Sequence, residues 1–140
     1  MDRVGVGRYA RYKSWAAFAQ VELVVHDASD DRPSVSFNCT GVGFTAQGYV
    51  EEVPPRGYDD WKQGAAAGAN FAFRLSGVAG ESVTVTKIEG LTSDTSPACV
   101  GAASALAVFN ALGLPVPTSF NSLVEEIVFG PDGLRAKFSL

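Results

Sequence analysis

The longest apolar run, Ala98 to Val116, does most to decide what this chain can fold into. It approaches the length that crosses a bilayer, yet Ser104 and Asn110 interrupt it, Gly113 and Pro115 end it, and no basic residues flank it. Those features make it a buried helix of a globular domain. Its start is written in Asp94, Thr95, Ser96 and Pro97, because a serine side chain can cap free backbone N–H groups and proline is preorganised for the first helical position. Its end is Gly113, which supplies a left-handed residue after Leu112 at low cost.

A second helix is predicted upstream, over Tyr58 to Leu75, opening with Asp59 and Asp60 as cap and first-turn residues. Gly64 and Gly68 each cost it about 1 kcal/mol relative to alanine, so their return is the close approach of another backbone. Gly101, Ala102 and Ala105 of the later helix offer the matching stripe of small residues. The two helices are therefore expected side by side on one face of a sheet.

The clearest strand is Ser82 to Glu89, where Val83, Val85 and the in-line Lys87 alternate with Ser82, Thr84, Thr86 and Ile88. Trp15 to Asp27 and Ser34 to Thr40 alternate in the same way, the second placing Cys39 beside Phe37 on its apolar side. The segment between them, Ala28 to Pro33, has turn composition and predicts a hairpin. A third strand is read over Phe44 to Val53, after Gly41 and Gly43 and before Pro54, Pro55 and Gly57, giving three sequential antiparallel strands. Thr118 to Leu140 reads as a terminal hairpin: Leu123 to Phe129, a turn at Gly130 to Gly133, and a closing strand Leu134 to Leu140. Residues 1–14 form an arm or a first edge strand, and residues 15–140 one domain. The order β-β-β-α-β-α-β-β is that of an α+β two-layer sandwich, a mainly antiparallel sheet with both helices on one face and the other face partly exposed.

Size and charge narrow the function classes. With 140 residues, 46% of them hydrophobic, the chain can bury a full core without metal or disulfide staples. Its net charge of -4, with no concentrated basic segment, argues against nonspecific nucleic-acid binding. The first fifteen residues have no continuous apolar segment of the secretory type, and Cys39 and Cys99 sit apart in apolar surroundings as reduced thiols, so a cytoplasmic protein is expected.

Gly7, Arg8, Tyr9 and Ala10, together with the stretch Val83 to Ala107, carry a family resemblance. In that stretch a valine-rich strand, Gly90, the group Asp94, Thr95 and Ser96, and a small-residue helix follow one another. This order resembles domain IV of bacterial elongation factor G and its wider superfamily: the second domain of a small-subunit ribosomal protein, the GHMP-type kinases and the Lon protease domain. The resemblance spans roughly Arg8 to Leu112 and implies the fold, with no site residue. Contact with ribosome or RNA by this analogy would fall to Arg3, Arg8, Arg11 and Lys13. The first hairpin is also similar to that of formaldehyde-activating enzyme, whose catalytic histidine precedes the first strand, whereas His26 here ends it.

Candidate chemistry gathers at few places. The start of the later helix, with Thr92, Ser93, Thr95 and Ser96, is an anion-binding end by its dipole and hydroxyls, although Asp94 opposes an anion and simple capping explains the same residues. Cys99 falls in its first turn, where a thiol can be activated, yet Ala98 and Val100 beside it point to an inert buried group. Ser96 with Lys87 has the composition of the Lon-type serine and lysine dyad in a different local motif. His26, Asp27, Asp30 and Asp31 lack metal-ligand spacing and read as a solvated turn, so neither metal nor cofactor is expected. Arg56, Tyr58 and Trp61, with Asp59 and Asp60, form an aromatic and charged corner suited to an interface, unless Trp61 anchors the helix to the sheet.

The leading expectation is a non-catalytic binding or assembly module forming a homo-oligomer through the open sheet face or the terminal hairpin, with no membrane or nucleic-acid partner. The alternative is a small enzyme or ligand-binding protein with an anion or small-molecule site at the start of the later helix. It would draw on His26, Asp94, Thr95, Ser96 and Cys99, which would have to converge in one cleft.

Overall fold

Five strands and two helices make up the computed structural model, which describes residues 2–11, 17–28, 34–120 and 123–124. Strand β1 (Arg3–Arg11) pairs antiparallel with β2 (Ala17–Asp27), and β2 pairs antiparallel with β5 (Glu81–Gly90). The far side of β5 is shared. The short β3 (Val35–Phe37) runs parallel to it at Val83–Val85, and β4 (Glu51–Glu52) runs antiparallel to it at Glu89–Gly90. Helices α1 (Asp59–Ser76) and α2 (Pro97–Leu112) lie on one face, as expected of the α+β sandwich. The N-terminal residues are an edge strand rather than a loose arm.

The period of two in β2 puts Ala17, Ala19, Val21, Leu23 and Val25 under the helices and leaves Phe18, Gln20, Glu22, Val24 and His26 on the uncovered face. Apolar burial of the first set, with Val83, Val85 and Ile88 of β5, supplies the sheet half of the core, each such side chain contributing on the order of 1.5–3 kcal/mol. Helix α2 lies directly on β1 and β2, and α1 packs against α2. Buried between them, α2 exposes little beyond Asn110, whose side chain accepts a hydrogen bond from the Val6 backbone N–H at 3.0 Å.

Glycine makes this stacking close. A methyl group at Gly64 would overlap the carbonyl oxygen of Pro97, and one at Gly68 that of Gly101, which is the backbone approach the sequence predicts. Gly5 and Gly7 do the same for β1 under α2, against the carbonyls of Ala107 and Ala103. At the far end Phe120 closes the core against Phe71 and Phe109, with ring centroids 6.1 and 5.9 Å away.

Three expectations need correction. β2 and β3 do not form a hairpin: they run in opposite directions, as hairpin arms would, but β5 lies between them. Alternation reports which side of a strand is buried and not which strand is its neighbour. β5 takes the place between β2 and β3. Second, the strand expected over Phe44 to Val53 shrinks to Glu51–Glu52, and residues 44–50 are a loop. Third, Lys87 is not in line with Val83 and Val85. An irregularity in register between Glu22 and Leu23 leaves Thr86 as the extra residue, hydrogen-bonded through its hydroxyl to the Glu22 carbonyl at 3.2 Å. That shift turns Lys87 to the uncovered face opposite Glu22 and buries Ile88.

Of the terminal segment, residues 118–120 and 123–124 are helical, where the hairpin would have begun. Its turn and closing strand, and most of the turn between β2 and β3, lie outside the described residues. Among the described residues no helix is long and apolar enough to cross a membrane.

Candidate functional site

The start of α2 is built as the sequence implies and serves structure. Ser96 is the N-cap, its Oγ accepting from the Cys99 N–H at 3.1 Å, with Pro97 in the first turn. Thr95 Oγ1 accepts from the Leu91 N–H at 2.8 Å and donates to the Phe18 carbonyl at 2.5 Å. The Asp94 carbonyl in turn accepts from the Phe18 N–H at 3.1 Å. Thr95 thus stitches the turn 91–95 to β2, while Ser96 caps the helix. Cys99 is fully buried, and burial pushes its thiol up to about 12, so thiolate chemistry at neutral pH is closed to it.

His26 is not part of that end. It sits opposite Ser82, whereas the α2 start lies by Gly90, which pairs with Ala19. Seven residue steps along β2 separate His26 from Ala19, roughly 23 Å of strand at about 3.3 Å per residue. On the uncovered face His26 Nε2 lies 3.1 Å from Thr84 Oγ1, and that hydroxyl lies 3.2 Å from Ser36 Oγ. Lys87 points to the same uncovered face, 3.9 Å from Glu52, on the other side of the sheet from α2, which Ser96 caps. Of the residues named for the alternative reading, only Asp94, Thr95, Ser96 and Cys99 come together. Asp30 and Asp31 lie outside the described residues, among which no three His, Cys, Asp or Glu are grouped to hold a metal ion.

The interface candidates behave differently. Tyr58 is the N-cap of α1 in a left-handed conformation, φ 57°, and Asp59 and Asp60 fall in the first turn rather than capping. A bulky residue is seldom found there, so the surroundings must hold it. They do. The Tyr58 hydroxyl donates to Glu51 Oε2 at 2.6 Å, and its ring lies 5.0 Å from that of Trp61. Burial, and after it the bond to Glu51, raises the Tyr58 phenol above its ordinary value.

Glu51 is the centre of this corner, a carboxylate only 2% exposed. Its other oxygen accepts from the Thr92 hydroxyl, so both hydroxyl donors fix it between α1 and the turn before α2. Two clefts open on either side. One, of about 470 Å³, is lined by Phe44, Glu51, Tyr58, Asp59, Asp60, Trp61 and Thr92. The other, of about 440 Å³, runs past Phe44, Gln47, Tyr49, Glu51, Leu91, Ser93 and Asp94. Carboxylates and aromatic rings line both, and among the described residues no Lys or Arg does, which turns away an anion. A smaller apolar cavity, about 240 Å³, lies elsewhere, between Phe71, Leu75, Phe120 and Leu123.

The loop that walls both clefts carries four large apolar side chains in solvent: Val42, Phe44, Tyr49 and Val50, at 81, 57, 70 and 49% exposure. Taking this segment as a strand hides them, because an alternating stretch puts half its apolar residues in the core by assumption. The clue in the sequence is Gly41, Gly43 and Gly48 within eight residues; Gly43 and Gly48 take positive φ. Trp61 serves both roles its sequence position suggests, packing its ring edge near Gly90 and lining the cleft.

No protein-family model matches this chain, and no curated protein matches it. Among solved structures, a crystal structure of a protein from Thermus thermophilus is similar, with a TM-score of 0.60 and 17% identity over 76% of this chain. Mevalonate kinase from methicillin-resistant Staphylococcus aureus covers 91% of it at a TM-score of 0.45 and 14% identity. The chain spans 15% of the first protein and 46% of the second. The likeness to the first is one of fold.

Proposed function

We propose that this chain is a non-catalytic binding and assembly module on the fold of elongation factor G domain IV, acting as a homo-oligomer. The exposed loop carries the reading: Val42, Phe44, Tyr49 and Val50 crowd one short segment beside the corner of Tyr58 and Trp61. Scattered exposed apolar residues need no explanation, but four within one short loop that lines aromatic clefts fit a contact surface. Burying each of the four against a partner would contribute on the order of 1.5–3 kcal/mol, enough together to offset a substantial part of the cost of association. Val4 and Val6, exposed on the uncovered face of β1, offer a second and smaller apolar area. Two free buried thiols fit a reducing compartment, and the proposal places the protein in the cytoplasm.

The test is the molar mass in solution of the wild-type chain and of the Phe44→Ser, Tyr49→Ser double variant. The reading expects a wild-type oligomer and a monomeric, folded variant; a wild-type monomer contradicts it.

A further inference from the structure

We infer that Arg56 of one copy enters the cleft between Phe44, Trp61 and the Asp59–Asp60 pair of a second copy, while Arg56 of that second copy enters the same cleft of the first. The inference rests on the self-association just proposed and names the contact that would fix its geometry. Most basic side chains with a described position are engaged: Arg3 with Glu81 at 2.8 Å, Arg8 over the Phe18 ring at 5.4 Å, Lys62 on the Pro55 carbonyl at 3.1 Å, and Lys87 near Glu52. Arg74 is engaged as well, whereas Arg56 is exposed and has no partner among the described residues. Asp59 and Asp60, three and four residues on, have none among them either. One surface thus carries a free guanidinium, free carboxylates and an uncovered apolar loop.

Such a surface complements itself through a two-fold axis, where residue i of one copy meets residue j of the other and the reverse. The cleft suits a guanidinium in particular. Arginine forms bidentate bonds to carboxylates and stacks its plane on aromatic faces, and this cleft supplies Asp59 and Asp60 beside Tyr58, Trp61 and Phe44. The buried Glu51 adds a further negative charge behind them while keeping its own two hydroxyl partners.

Charge reversal tests this by sedimentation of the full chain at low salt, each variant first checked for a wild-type thermal transition. Arg56→Asp and Asp60→Arg alone should each weaken self-association at least tenfold, because each symmetric contact between positions 56 and 60 then opposes like charges. The double variant Arg56→Asp, Asp60→Arg should recover it to within about threefold. An equimolar mixture of the two single variants should form a heterodimer, since both contacts between positions 56 and 60 in it pair opposite charges. Wild-type association in both single variants, or no recovery in the double variant or the mixture, overturns the inference. If the loop variant still abolishes the oligomer in that case, the assembly reading stands without Arg56. A wild-type monomer removes both, and leaves a basic segment of another protein as the cleft's occupant.

Discussion

A methyl group on Gly68 would meet the carbonyl oxygen of Gly101, and no rotamer change can relieve a clash with backbone. On an open helix the substitution Gly68→Ala would stabilise by about 1 kcal/mol. Here the helices must part, and overpacking of this kind costs about 1–3 kcal/mol or more. Urea unfolding should therefore show Gly68→Ala less stable than wild type, and a gain in stability would refute the close packing. This approach is legible from Gly64 and Gly68, because glycine in a helix needs a return. The equal roles of Gly5 and Gly7 are not, since in VGVGRYAR glycine stands where a strand would show apolar residues and the inward side gives no hydrophobic signal. Cys99 makes a prediction of opposite character. Its thiol titrates near 9 when unfolded and is raised to about 12 by burial, so its contribution is complete below pH 9 and is lost as pH rises from 9 toward 12. The urea midpoint should fall over that window, less steeply in Cys99→Ala, and the folded wild-type thiol should resist alkylation at pH 7.

At the scale of elements, local chemistry is readable and pairing is not. The cap at Ser96, the proline after it and the left-handed Gly113 bound α2 as the sequence reads, because each acts within a few residues of chain. Strand neighbours depend on contacts far apart in sequence, and the insertion of β5 between β2 and β3 leaves no local trace. The same holds for the register shift at Thr86, which exchanges Lys87 for Ile88 at the core. The turn at 92–94 and the corner at Tyr58 are held together through Glu51, and that bond is open to test. Tyr58→Phe leaves one oxygen of a buried carboxylate short of a donor, which costs about 1–3 kcal/mol. It should lower the melting temperature and quicken amide exchange at Thr92–Asp94, while Gln63→Ala, at an exposed position of α1 with no partner among the described residues, should do neither.

For the whole molecule, the two-layer plan follows from periodicity and helix signals, but the exposed apolar loop does not. The candidate residues at the start of α2 are those a dipole argument selects, and the structure uses Thr95 to tie a turn to β2 and Ser96 to cap the helix. His26 stands at the other end of the sheet. Tyr58 and Trp61 line a cleft beside the loop of Val42, Phe44, Tyr49 and Val50, whose exposed side chains alternation presents as strand. The account turns on whether that loop is covered in solution. Light scattering on the wild-type chain and on the Phe44→Ser, Tyr49→Ser variant decides it most directly. Twice the chain mass or a higher multiple is expected for the wild type and a single chain mass for the variant; one chain mass for both, or the same oligomer for both, rules out assembly through this loop.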